Sequence, residues 1–157
     1  YIPRASSAST MIVQGIKKGE SADLTTLWTI PGFQLTCVAV PTWVAGGKNL
    51  PKLMVADERG NSPLGEAALE LKKQCFPITR GSGSTYLDLA LLLNEEGTGI
   101  LQKLRPIESQ IVSKTEKILA EWGKDGMSIK KIENFYKWID ETVEQGFKNL
   151  NNISKKH

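Results

Sequence analysis

Histidine is almost missing from this chain: of 157 residues only the last, His157, carries an imidazole. That argues against a Ser-His-Asp triad, a His-paired cysteine or a His-ligated zinc site within this chain alone. Cysteine is nearly as scarce. Cys37 and Cys75 have none of the close spacing of a zinc or redox motif. They fit one disulfide or two separate buried thiols, the second favoured because Cys is among the most buried residue types. Long apolar runs are lacking too. The densest, residues 89–93, falls far short of the roughly 18 residues a membrane-spanning helix needs. Nor does one sign of charge dominate, since 20 Lys and Arg face 17 Asp and Glu for a net +3. Residues 1–100 hold nine of each sign, and the excess lies in 101–157, eleven against eight. That is a faintly basic helical tail, not the footprint of a nucleic-acid binder.

What remains is a globular composition, 40% hydrophobic and 24% charged, in 17.3 kDa, the size of one domain. The chain opens Tyr1-Ile2-Pro3-Arg4, with neither an initiator Met nor the basic-then-apolar start of a signal peptide. It enters a strand-like stretch at 9–16 almost at once, which reads as a piece cut from something longer. A trimmed chain, or one whose disordered start is missing, fits the same opening.

The first half predicts strands. Met11, Val13 and Ile16 keep a period near two, residues 24–30 are β-branched and aromatic, and residues 35–40 form an apolar run suited to a strand covered on both faces. The first two are expected to form a hairpin around the polar turn at 17–21, and Pro41 to restrict further pairing of the third. Residues 53–55 suggest one more short strand. Ser62-Pro63 is a favoured helix start, with Leu64, Ala67, Ala68, Leu71 and Cys75 on one face and Pro77 as the stop. Residues 80–84 read as a flexible loop before the apolar stretch 86–93. Two helices follow. One begins after Pro106, carries Ile107, Ile111, Ile118, Leu119 and Trp122, and is expected to end at Gly123. The other is capped by Ser128 and carries Ile132, Phe135, Tyr136, Ile139, Val143 and Phe147. The short link predicts an antiparallel pair, packed stripe to stripe or over a sheet. The expectation is a single α/β (α+β) domain over residues 1–148, antiparallel strands first, with a frayed tail at 149–157.

Few constellations carry chemistry. Asp57, Arg59 and Asn61 evoke a calcium loop, but Ser62 replaces the required Gly and Ala68 stands where a bidentate Glu belongs, so a plain turn is favoured. Residues 80–84 hold an arginine and two glycines that suit an anion, yet lack the Lys and spacing of a phosphate loop. Glu133 with Lys137 and Glu144 with Lys148 suit surface ion pairs. Trp28, Trp43, Trp122 and Trp138 lie mostly on apolar patterns and fit the core. No metal site is expected. The segment Arg4-Ala5-Ser6-Ser7-Ala8-Ser9-Thr10 joins a bidentate donor to four hydroxyls before a strand, and reads either as a polar site fixing a carboxylate or carbonyl, or as a solvated arm.

Those residues also carry a resemblance. The stretches 2–9, 13–17 and 24–30, then Cys75-Phe76-Pro77-Ile78-Thr79-Arg80-Gly81 and Gly97-Thr98-Gly99-Ile100-Leu101-Gln102, resemble the C-terminal half of a bacterial N-terminal-nucleophile (Ntn) cysteine hydrolase family common in gut Bacteroidetes. It is related to isopenicillin N acyltransferase, penicillin V acylase and bile-salt (choloylglycine) hydrolase. The likeness covers about residues 1–122, and the final helix matches only in type. It implies an α-β-β-α sandwich of which this chain supplies later strands and helices. It also implies a cysteine nucleophile at a newly exposed N-terminus, with its own α-amino group as base. Such a site needs no histidine. Tyr1 is not that cysteine, and Cys37 and Cys75 cannot become terminal, so the nucleophile and its Asp and Asn partners are expected on an upstream chain of the same precursor. Arg4, Ser6 and Ser7 match the family pattern, and the resemblance puts them at the border of the substrate pocket, with no catalytic role carried over. The implied reaction is thiolate attack on an N-acyl amide, through an acyl-enzyme, to hydrolysis or acyl transfer. The implied substrates are bile salts, penicillin-like amides or fatty N-acyl amines. A periplasmic or secreted setting is implied, with no cofactor. The rival reading of the residues is a binding or interaction domain that folds by itself; a regulatory subunit whose basic helices meet an acidic partner has only the +3 of residues 101–157 behind it.

Overall fold

A computed structural model describes residues 6–79, 81 and 85–154. Arg4 and residues 80 and 82–84, which figure in the readings above, lie outside the described residues. Two β-branched, apolar stretches form an antiparallel pair, β1 (Ser9–Gln14) and β2 (Thr26–Pro31), in register from Ser9 opposite Pro31 to Gln14 opposite Thr26. This is the expected hairpin. In its connection the Lys17 N–H donates to the Glu20 carboxylate at 2.7 Å. The third strand is displaced from its expected place: β3 spans Val40–Trp43, and its sheet order is β1-β2-β3. Residues 35–39 are apolar because they fill the core as a helical turn (Gln34–Thr36) and the irregular chain after it, and only Val40 joins the ladder. There Thr36 donates its hydroxyl to the carbonyls of Phe33 and Ala68, turning the backbone inward.

Pro41 therefore sits inside β3, opposite Trp28, rather than ending the strand before it. It is tolerated because β3 is an edge. The outward N–H groups of alternate residues on that edge are accounted for. Ala39 N–H donates to Glu108 Oε1 at 2.9 Å, Pro41 has no N–H, and Trp43 N–H donates to the Tyr136 hydroxyl at 3.2 Å. Side chains of two helices and one proline thus leave the outer edge of β3 without an available N–H. The opposite edge is different. Among the described residues β1 pairs only with β2, and Met11, Ile12 and Val13 are 67%, 54% and 68% exposed. The expected core strand is present, but its apolar residues face outward.

Helix α1 (Pro63–Cys75) starts as its cap dictates, with the Ser62 hydroxyl accepting from Gly65 N–H at 3.2 Å, and buries Leu64, Ala68, Leu71 and Cys75. Gly32 lets it approach the end of β2. Its φ is +78°, and a Cβ there would lie 2.9 Å from the Ala68 Cβ. Residues 53–55 are not a strand. Lys52–Met54 form a helical turn whose N–H groups at Lys52 and Leu53 both donate to the Asp140 carboxylate at 3.0 Å. A two-residue ladder, β4 (Ile78–Thr79) with β5 (Thr85–Tyr86), leads to the short α2 (Leu89–Leu92).

The two long helices are α3 (Ile100–Asp125) and α4 (Ile129–Ser154). Contrary to expectation α3 begins six residues before Pro106 and runs through Gly123. The Gln102 side chain accepts from Gly99 N–H and Asn94 N–H, both at 3.0 Å, and fixes the first turn. Pro106 then costs only the bond that the Gln102 carbonyl would accept. Gly126, at φ +78°, ends the helix where the chain must reverse. Helix α4 buries Ile132, Phe135, Tyr136, Ile139, Val143, Phe147 and Leu150, so its stripe passes Asn149, where the tail was expected to begin. The pair is antiparallel, since Trp122 meets Phe135 at one end and Ile107 meets Gly146 at the other.

Trp43 ties these layers together. Its ring lies 5.0 Å from Trp122, 5.7 Å from Phe135 and 5.9 Å from Tyr136, and its Nε1–H donates to Thr26 Oγ1 at 2.9 Å. Trp28 and Trp122 are buried as expected. Trp138 is half-buried, with Lys114 Nζ 3.9 Å above its ring. The fold is thus a mixed α+β domain with a small antiparallel sheet and four helices. Trp43→Ala is expected to lower unfolding free energy by about 3–5 kcal/mol in urea denaturation, whereas Val44→Ala, at a position 92% exposed, is expected to change it by less than about 0.5 kcal/mol.

Candidate functional site

The segment singled out before β1 is held against the domain. Ser6 is exposed and Ser7 half-buried, and the Ser7 carbonyl accepts from Lys72 Nζ at 3.2 Å. Gln34 Nε2 donates to the Ser9 carbonyl at 3.3 Å and to Thr10 Oγ1. From Ser7 onward the chain is therefore not a free solvated arm: α1 and the turn after β2 fix its path. Arg4, the residue expected to grip a carboxylate or carbonyl, lies outside the described residues.

Lys72 was not singled out by sequence reasoning. On a helical pattern it is one more surface lysine, and its partner Ser7 lies 65 positions away. Its ammonium also stands 5.3 Å from the ring centre of fully buried Phe33, which meets Phe76 edge to face at 5.5 Å. A signal was present in Lys72 and Phe76, four apart at the end of a helix, where an aliphatic stem and an aromatic ring share one face.

Beside this contact an open cleft of about 820 Å³ runs along α1, from the Arg59–Asn61 turn to Phe76 and Thr85. Leu69, 41% exposed, and half-buried Phe76 give it apolar surface. At the far end Arg59 Nη2 lies 2.9 Å from Asp57 Oδ2 and 3.3 Å from Glu66 Oε1. The turn itself is self-contained: Asp57 Oδ1 accepts from the N–H groups of Arg59 and Asn61 at 2.9 and 3.0 Å. The Asn61 N–H and the Arg59 guanidinium hold the Asp57 carboxyl below its ordinary range. That is the plain turn expected. Of the two proposed surface pairs, Lys148 meets Glu144 at 2.7 Å, while Glu133 instead accepts from Asn49 Nδ2 at 3.0 Å.

The cysteines are two free, buried thiols far from being activated. Burial pushes Cys37 from 9.0 to about 12 and Cys75 from 9.0 to about 11, with the Asp88 charge adding to the second. A nucleophilic cysteine needs the opposite shift. Among the described residues no group of three or more His, Cys, Asp or Glu side chains is placed to hold a metal ion, and no helix is long and apolar enough to cross a membrane. In comparisons with known proteins, no family model, no curated protein and no solved structure matches the chain.

Both thiols are expected to resist iodoacetamide at pH 8 in the folded chain and to react fully in 6 M guanidinium (about 6 M, a fully denaturing concentration), as mass spectrometry would count. Because Cys37 is raised from 9.0 to about 12, its contribution to stability holds below pH 9 and is lost as pH climbs toward 12. Cys37→Ala is therefore expected to show a flatter decline of stability over that range in pH-dependent urea melts.

Proposed function

We propose that this chain is the C-terminal portion of an Ntn cysteine hydrolase that cleaves N-acyl amides, its nucleophile residing on an upstream chain of the same precursor. The reading starts from the resemblance of residues 1–122 to that family, and one observation in the fold supports it: the outer edge of β1. Met11 and Val13 alternate onto the sheet face turned away from α3 and α4, beside half-buried Leu27 and Thr29. That face is bare over β1 and covered over β3, where Val40 and Thr42 are buried. A six-residue strand with apolar residues on both faces is suited to receive further strands and a second sheet, as an α-β-β-α sandwich requires.

In this reading the thiolate attacks the amide carbonyl, the amine leaves, and water or a second amine releases the acyl group. Ser6, Ser7 and Arg4 border the substrate pocket, as the resemblance implies, and Lys72 holds the backbone at Ser7. A processed, secreted heterodimer is the matching cellular form. The poorly reactive Cys37 and Cys75 fit a chain whose reactive sulfur lies elsewhere. The alternative, a binding or interaction domain that folds alone, draws on a different observation: one buried cluster joins β2, β3, α1, α3 and α4.

An active preparation is expected to contain a second polypeptide with an N-terminal cysteine, seen by intact-mass spectrometry, and to lose amidase activity on labelling that cysteine. Val13→Lys, at a position 68% exposed, is expected to shift the stability of the isolated chain by less than about 0.5 kcal/mol. Assembly with the upstream chain should nonetheless weaken by an order of magnitude or more. Cooperative two-state unfolding of a soluble monomeric 157-residue chain, with no second polypeptide in active material, would favour the alternative.

A further inference from the structure

We propose that the cleft along α1 binds a small amphipathic carboxylate, with the Lys72 ammonium gripping the head and Leu69 and Phe76 supporting the tail. The inference goes beyond the hydrolase reading and does not depend on it. Lys72 is distinguished from the other cations of the cleft by its partners. Arg59 is matched by Asp57 and Glu66, and Lys73 by Glu70. Lys72 meets only a neutral carbonyl and an aromatic face among the described residues. An ammonium offers three N–H donors, so the bond to Ser7 leaves two for a ligand.

The half-buried position of Lys72 makes its charge valuable. Water screens it less than the exposed cations, and a carboxylate arriving there forms a charge-assisted hydrogen bond. Around that point the helix supplies apolar surface in register. Leu69 lies one turn before Lys72 and Phe76 one turn after it, so all three share a face. From Glu66 to Cys75 the helix along the cleft is about 14 Å long at 1.5 Å per residue, enough for a medium-length aliphatic chain. Three cations stand against two acids on the lining, which disfavours a cationic head. The site thus selects on two criteria, negative charge at Lys72 and apolar surface flanking it on either side.

The test uses the 157-residue chain. Decanoate and decyltrimethylammonium, each below its micellar concentration, are titrated by calorimetry and followed by amide NMR shifts. Decanoate is expected to bind saturably with shifts centred on Leu69, Lys72 and Phe76, and decyltrimethylammonium not to bind there. Lys72→Met should weaken decanoate on the order of tenfold, the worth of one charge-assisted bond, while Lys72→Arg keeps most of the affinity. If Lys72→Met loses its native circular dichroism, Leu69→Gln at its exposed site replaces it and is expected to weaken decanoate through the tail. Equal binding of both amphiphiles, unchanged decanoate affinity in the folded variant, or shifts confined to another surface would overturn the proposal. Since binding is read without turnover, absence of amidase activity bears on the hydrolase reading alone.

Discussion

One tryptophan joins the main sheet to both long helices of this domain. The Trp43 ring packs against Trp122 of α3 and against Phe135 and Tyr136 of α4, while its indole N–H is satisfied by Thr26 in the neighbouring strand. The Thr26 hydroxyl in turn donates to the Leu24 carbonyl at 3.0 Å. The Trp43 backbone N–H is taken by the Tyr136 hydroxyl, so the same residue fixes both the packing of the helix pair on the sheet and the chemistry of the sheet's edge. Buried polar groups are costly unless paired, and here each has a partner in a different element. The sheet could not slide beneath the helices without breaking several of these contacts together.

That arrangement positions the candidate site at second hand. The turn after β2 carries Phe33 and Gln34, and α1 carries Lys72. Gly32 permits α1 to sit close enough for Lys72 to lie over Phe33 and reach the Ser7 carbonyl. The segment preceding β1 is therefore shaped by contacts from two elements placed far along the chain. Its hydroxyls and the cleft along α1 belong to one region of the surface, although nothing in local spacing joins them.

How much of this was readable beforehand follows from which forces act locally. The cap at Ser62, the apolar stripe of α4 and the β1–β2 hairpin are local patterns, and each was foreseen. The third strand was misplaced because burial and strand pairing leave the same apolar signature. Residues 35–39 earn theirs by filling the core, and Pro41 looked like a terminator until its strand proved to be an edge. Pro106 misled for a related reason, since a helix loses little when the Gln102 side chain has already secured the turn before it. At the site, Ser7 was visible as a member of a polar segment. Lys72 and Phe33 were not, because a contact across 65 residues has no periodicity.

The unequal borders of the main sheet also limit how copies of this chain can associate. Strand-by-strand growth into a fibril requires every copy to offer two receptive borders, one to accept a neighbour and one to pass the ladder on. Here Glu108, Pro41 and Tyr136 leave one of them without an available N–H. Two copies meeting through β1 would exhaust each other's hydrogen-bonding capacity in a twofold pair and stop. The proline that looks out of place in a strand withholds one N–H from any ladder that would continue past this border.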